Sequence, residues 1–173
     1  MEWINMFLER FKDIAIAPYN HSHMLWIVIP LVVTAVLSEI YFGRYKFEDM
    51  GWNSAYENSL VLFFVSMDLI RKLYVSNTLF PISMKSSLAI ILIVISLGLI
   101  ILNFFHVLPK SLAFSITSTL PINVLAYLIA ILVYSNIPLD LLTFGAAMTL
   151  AVLIVLLVRF IWFLIPEKFE EDE

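Results

Sequence analysis

The sequence predicts an all-α integral membrane protein, with about five transmembrane helices preceded by an amphipathic interfacial N-terminal helix. Three observations carry that expectation. First, 62% of the 173 residues are apolar and 14% are charged, with a mean hydropathy of +0.97; a soluble domain is about half apolar and about a quarter charged. A chain of this length folded in water cannot hide such a surplus in one core. Second, the apolar residues fall into runs of about 20, the helical length needed to cross a hydrocarbon layer of about 30 Å. Third, the runs are bordered by aromatic and basic residues in mixture, as at Tyr41, Phe42, Arg44, Tyr45, Lys46, Phe47 and Trp52, which is the composition of the headgroup level. Long aliphatic runs argue against a barrel, whose strands alternate over about ten residues.

The elements follow in chain order. In residues 1–17, Trp3, Phe7, Phe11 and Ile14 share one helical face with Ile4, Leu8 and Ala15, while Glu2, Asn5, Glu9, Lys12 and Asp13 oppose it. An aromatic-rich face of this kind suits the lipid headgroup boundary, or else packs on the protein's own spans. Pro18 is expected to end the helix. Residues 18–166 are read as a single bundle with spans at 24–42, 55–74, 87–108, 112–134 and 139–165, followed by an acidic tail at 167–173. The first span lacks a basic leader and a small-residue cleavage site, so it reads as a retained anchor, with Asn20 or Ser22 as its N-cap. The third is the cleanest apolar run. The fourth carries Pro121, which removes a backbone donor and can kink a helix. The fifth is long enough to tilt. No repeat relates the two halves, so an inverted-repeat transporter has no support.

The second span is the ambiguous one. It contains Asp68, three residues before Arg71 and four before Lys72, spacings that allow pairing within one helix. On one reading Asp68 is neutralised near a helix end, with the cations extending to water. On the other it faces a cavity or partner helix, the usual orientation of a costly intramembrane charge. The apolar run from Leu60 to Val65 favours crossing and hence five spans; four remain if 55–74 stays on one side. Lys and Arg divide evenly between the two sides under either count, so the positive-inside rule does not decide. The turn at Ser135–Pro138 carries no basic residue. It is expected on the translocated side, which leaves Lys110 and the C-terminus in the cytoplasm of a multi-pass cell-membrane protein.

Candidate chemistry is sparse. Asp68, Glu57, Asn58 and Arg71 are the candidates for an ion or proton pathway, because carboxylates and amides on one face can relay protons or meet a hard cation. Eleven residues separate the two acids, about 16 Å along a helix, so they cannot form one mononuclear site. The bland alternative is an N-cap at Asn53 or Ser54 with Glu57 in the first turn. His21 and His23 share a face if extended, a weak metal candidate with no third ligand nearby. His106 reads as an interfacial residue at the end of a span. Ser115, Thr119 and Asn123 line a cavity or pack the fourth span, and Gly145 with Thr149, like Ala147 with Ala151, forms a small-residue packing face.

Several classes are excluded. The chain has no cysteine, which removes disulfides, thiolate metal sites and a cysteine nucleophile. It has no Ser-His-Asp order, HExxH or phosphate-binding glycine loop, and implies no cofactor. A net charge of −4 does not suggest a nucleic-acid partner. The expected partners are the lipid bilayer and either another membrane protein or further copies of the chain. The leading expectation is a non-catalytic accessory or assembly subunit of a membrane complex or homo-oligomer. The alternative is a small ion or proton transporter or channel using the second-span carboxylate. A third reading is a lipid-acting enzyme built on His21, His23 and Glu57.

Overall fold

The structure, a computed structural model, describes residues 2–45 and 50–165. The expectations for Lys46, Phe47 and the tail at 167–173 lie outside those residues. Seven α-helices make up the described chain: α1 (Glu2–Asn20), α2 (Leu25–Arg44), α3 (Trp52–Val75), α4 (Met84–Phe104), α5 (Lys110–Ile116), α6 (Thr119–Tyr134) and α7 (Leu141–Leu164), with a 3-10 turn at Ser22–Met24. Four segments are long and apolar enough to cross a membrane: Ser22–Arg44, Met84–Phe104, Lys110–Tyr134 and Leu141–Leu164. Their boundaries follow the expected spans to within a few residues.

Local chemistry explains the element ends, and several differ from expectation. Pro18 does not end α1, which runs on to Asn20. A proline in the final turn leaves only the Ile14 carbonyl without its donor, and His21 N still reaches the Ala17 carbonyl at 2.9 Å. Neither Asn20 nor Ser22 caps α2, because the 3-10 turn intervenes and its residues feed directly into the helix. Gly51, rather than Asn53 or Ser54, occupies the N-cap of α3 and makes no side-chain cap bond. By contrast Ser83 accepts from Ser86 N at 3.2 Å to start α4, and Asp140 accepts from Thr143 N at 2.8 Å to start α7. Helices α3 and α4 close in the same way: Asn77 and His106 adopt left-handed φ of 54° and 52°. Thr78 N then reaches the Leu73 carbonyl and Val107 N the Leu102 carbonyl, at 2.9 and 3.0 Å. These paired bonds are the Schellman closure, which stops α4 at Phe104 instead of Leu108.

The fourth apolar segment is broken, though not at Pro121. The interruption falls at Thr117 and Ser118, between α5 and α6. Pro121 sits in the first turn of α6, where a missing N–H has no intrahelical acceptor to lose.

Successive long helices run in opposite directions, giving the bundle two ends. At the α1 end lie the 3-10 turn and the connections at 76–83 and 135–140. At the α5 end lie the start of α3, the end of α4 and α5. Helix α6 is the hub: α3 and α4 pack together on one side of it, α2 and α7 on the other, and α1 lies across the start of α7. Leu62, Leu69, Leu92, Ile122 and Ile131 are fully buried around it. Phe7 and Phe11 pack against the core and Ile14 and Ala17 are buried, so part of the expected apolar face of α1 packs on the bundle. Trp3, Ile4 and Leu8 of the same face remain exposed.

Candidate functional site

Three polar features stand out against this apolar frame. The first is a cleft of about 350 Å³ at the α1 end, lined by His23, Trp26, Asp68, Arg71, Lys72 and Tyr134, among others. Asp68 Oδ1 accepts from Arg71 Nε at 2.9 Å and from the same guanidinium's Nη2. Its Oδ2 accepts from the Tyr134 hydroxyl. The carboxylate is therefore engaged on both oxygens, once within α3 and once across to α6. The Lys72 ammonium lies 5.7 Å from the centre of the Tyr134 ring, within cation–π range. Beside the cleft, Lys85 of α4 donates to the Ser135 carbonyl at the end of α6. Arg71 is 68% exposed and Asp68 21%, so the pair sits at the rim of the bundle.

The second feature ties the helices at the α5 end. Asn103 is buried and donates from Nδ2 to the Ala55 carbonyl at 3.2 Å and to Ser59 Oγ at 2.8 Å. Asn58 donates to the Thr117 carbonyl at 2.8 Å and to Thr119 Oγ1 at 3.3 Å, where the break in the fourth segment leaves a carbonyl without a helical partner. Trp52 stacks on His106 with ring centres 4.2 Å apart. Between the two ends Leu62, Val65, Leu69, Leu92 and Ile122 are buried. The buried hydroxyls in this layer, Ser66 and Ser96, donate to Phe63 and Ile93 carbonyls of their own helices.

The third is a hollow of about 340 Å³ between α2, α6 and α7, walled largely by Leu, Val and Ile and containing Glu39, Asn123 and Tyr127. Asn123 donates from Nδ2 to the Thr119 carbonyl at 2.9 Å, but its buried Oδ1 has no hydrogen-bond partner. An unsatisfied acceptor in such surroundings is costly.

The residues singled out from sequence are thus dispersed. Asp68 and Arg71 meet as their spacing requires. Glu57 is exposed and lies toward the opposite end, as helical rise dictates, so the two acids do not share a site. Asn58, Thr119 and Asn123 are contact or cavity residues. Ser115 is exposed, its hydroxyl returned to the Ser111 carbonyl. Gly145 and Thr149 are also exposed; a Cβ at Gly145 would stand 3.7 Å from the Phe7 ring of α1. On this helix Thr143, Ala146 and Ala147 are the buried small residues.

The two histidines named as a weak metal candidate are not brought together. His21 precedes a 3-10 turn and His23 lies within it, so neither is in an extended strand, and they line two different clefts. No group of three His, Asp or Glu side chains suited to a metal occurs among the described residues. His21 and Glu57 stand at opposite ends of the bundle, so the constellation proposed for a lipid-acting enzyme does not assemble. Sequence reading missed Tyr134, Lys85, Asn103 and Glu39. Tyr134 and Asn103 find their partners 66 and 44 residues away, and no local spacing signals that. Compared with known proteins, the chain matches no family model, no curated protein and no solved structure.

Proposed function

We propose that the protein is a five-span, non-catalytic assembly subunit of a membrane complex, held in the cell membrane with its C-terminus in the cytoplasm. Helix α3 is less apolar than its neighbours, yet it is bonded to α4 through Asn103 at one end and to α6 through Tyr134 at the other. A helix bonded to α6 at both ends, through Asn58 and through Asp68, and to α4 at one of them runs the same depth as they do. The basic-free turn at Ser135–Pro138 supports translocation of the α1 end, leaving Lys110 inside.

The observation that carries the assembly reading is Asn123 Oδ1, buried and unpartnered beside an aliphatic hollow. Lipid tails offer no donor to such an acceptor, whereas a hydroxyl or amide on a docking helix does. The buried, largely apolar middle of the bundle and the double engagement of Asp68 weigh against conduction through one copy. Native mass spectrometry with in-membrane cross-linking tests the reading. The wild type should form an assembly of fixed stoichiometry, and Asn123→Leu should dissolve it while leaving helicity intact. A lone monomer in both cases would sink the proposal. So would reconstituted vesicles that lose a pH or cation gradient through the protein in a manner abolished by Asp68→Asn, which would establish the transporter instead.

A further inference from the structure

The charged cleft at the α1 end does not stand alone. A groove of about 290 Å³ runs from it between α2 and α3, lined by Pro30, Leu31, Thr34, Val61, Phe64 and Val65, and shares Trp26 and Ile27 with the cleft. Its origin is the packing: α2 and α3 each lie against α6 but scarcely touch one another, so they splay and leave a slot. The one hydroxyl among its described lining residues, on Thr34, is taken up by the Pro30 carbonyl at 2.7 Å. From Trp26 to Thr34 the slot extends about 12 Å along the helix, close to the depth of one leaflet.

We infer that cleft and groove together form a binding site for one anionic phospholipid, phosphate in the cleft and acyl chain in the slot. The inference rests on the membrane reading above but not on the assembly role. Charge complementarity selects the headgroup. Asp68 is occupied by Arg71 and Tyr134, which holds the guanidinium in place and leaves part of its fork of five N–H donors for a phosphate. Lys72 adds a second cation and His23 a further nitrogen donor at the same rim. Trp26, 85% exposed, stands where cleft passes into groove, the headgroup depth that indole rings favour. With Arg71 and Lys72 set against Asp68, the cleft carries one net positive charge, which favours an anionic headgroup over one that brings its own cation.

The test is native mass spectrometry of the full chain in neutral detergent with phosphatidylglycerol, phosphatidylcholine or glycerol 3-phosphate. One phosphatidylglycerol should be retained in preference to phosphatidylcholine. Lys72→Ala should weaken retention about ten-fold, the scale of one lost hydrogen bond to a charged group. Thr34→Trp, which fills the slot from an exposed position without changing charge, should release the lipid too. Equal retention of both lipids, or indifference to both substitutions, overturns the site. Full displacement by glycerol 3-phosphate, with Thr34→Trp harmless, would show a soluble phosphate site and overturn the lipid assignment. Vesicle flotation separates the two levels: a chain that fails to float refutes membrane insertion, whereas one that floats without lipid preference refutes this site alone.

Discussion

Asn103 illustrates how single residues hold this bundle. Its carboxamide reaches the Ala55 carbonyl and Ser59 Oγ, so α4 is fastened to α3 by a side chain that has little else to do at that depth. Asn103→Leu should lower stability by about 1 kcal/mol, the scale measured for hydrogen bonds between helices in membranes. Denaturant titration in mixed micelles would reveal it, and an unchanged midpoint would clear Asn103 of the role. Asp140 behaves differently because it stands before α7, outside the long apolar segments. The Thr143 backbone N–H, the Thr143 side chain and, more weakly, Arg10 at 3.8 Å hold its carboxyl below the usual carboxylate range. With the folded value depressed, its stabilising effect is complete above the ordinary carboxylate value of about 3.9 and fades as pH falls through the lower folded value. Asp140→Ala should therefore lower the Tm at neutral pH, and the gap from wild type should close in strong acid. At this scale the sequence was legible only locally. Asp68 and Arg71 are three residues apart and pair as spacing foretells, while Tyr134, the other partner of Asp68, depends on how α3 and α6 meet.

The helices themselves were far easier to foresee than their ends. Apolar runs of spanning length fix where α2, α4 and α7 lie, because burial in lipid or core acts on whole runs of side chains. Stops depend on one or two residues: His106 accepting a left-handed φ, or Thr117 passing its carbonyl to Asn58. Composition places α3 below its neighbours in apolar character, and only its two-ended attachment argues that it crosses. Cysteines at Asn53 and Ser76 should react with impermeant maleimide from opposite sides of a sealed vesicle; labelling from one side would reduce the count to four. The small residues of α6 carry a second expectation. Ala130 is fully buried in the hub helix, so Ala130→Leu should cost about 1–3 kcal/mol by overpacking. Leu125→Ala, at a position 39% exposed, should cost less in the same unfolding assay.

For the molecule as a whole, polar chemistry is concentrated at the two ends, and the buried layer between them is largely apolar. That distribution was partly readable from the sequence, since charges cluster beside the runs. The hollow beside Asn123 and the slot beside Trp26 were not, because both arise from helices that diverge around α6. Its position as hub also has a temporal consequence. Synthesis proceeds from the N-terminus, and α2 and α3 leave the ribosome long before the helix on which both come to rest. A nascent chain arrested once residues up to 108 have cleared the ribosome can close the α3–α4 hairpin but has nothing to hold α2 beside it. Protease protection or crosslinking of such arrested chains should find α2 detached, joining only once α6 has been made.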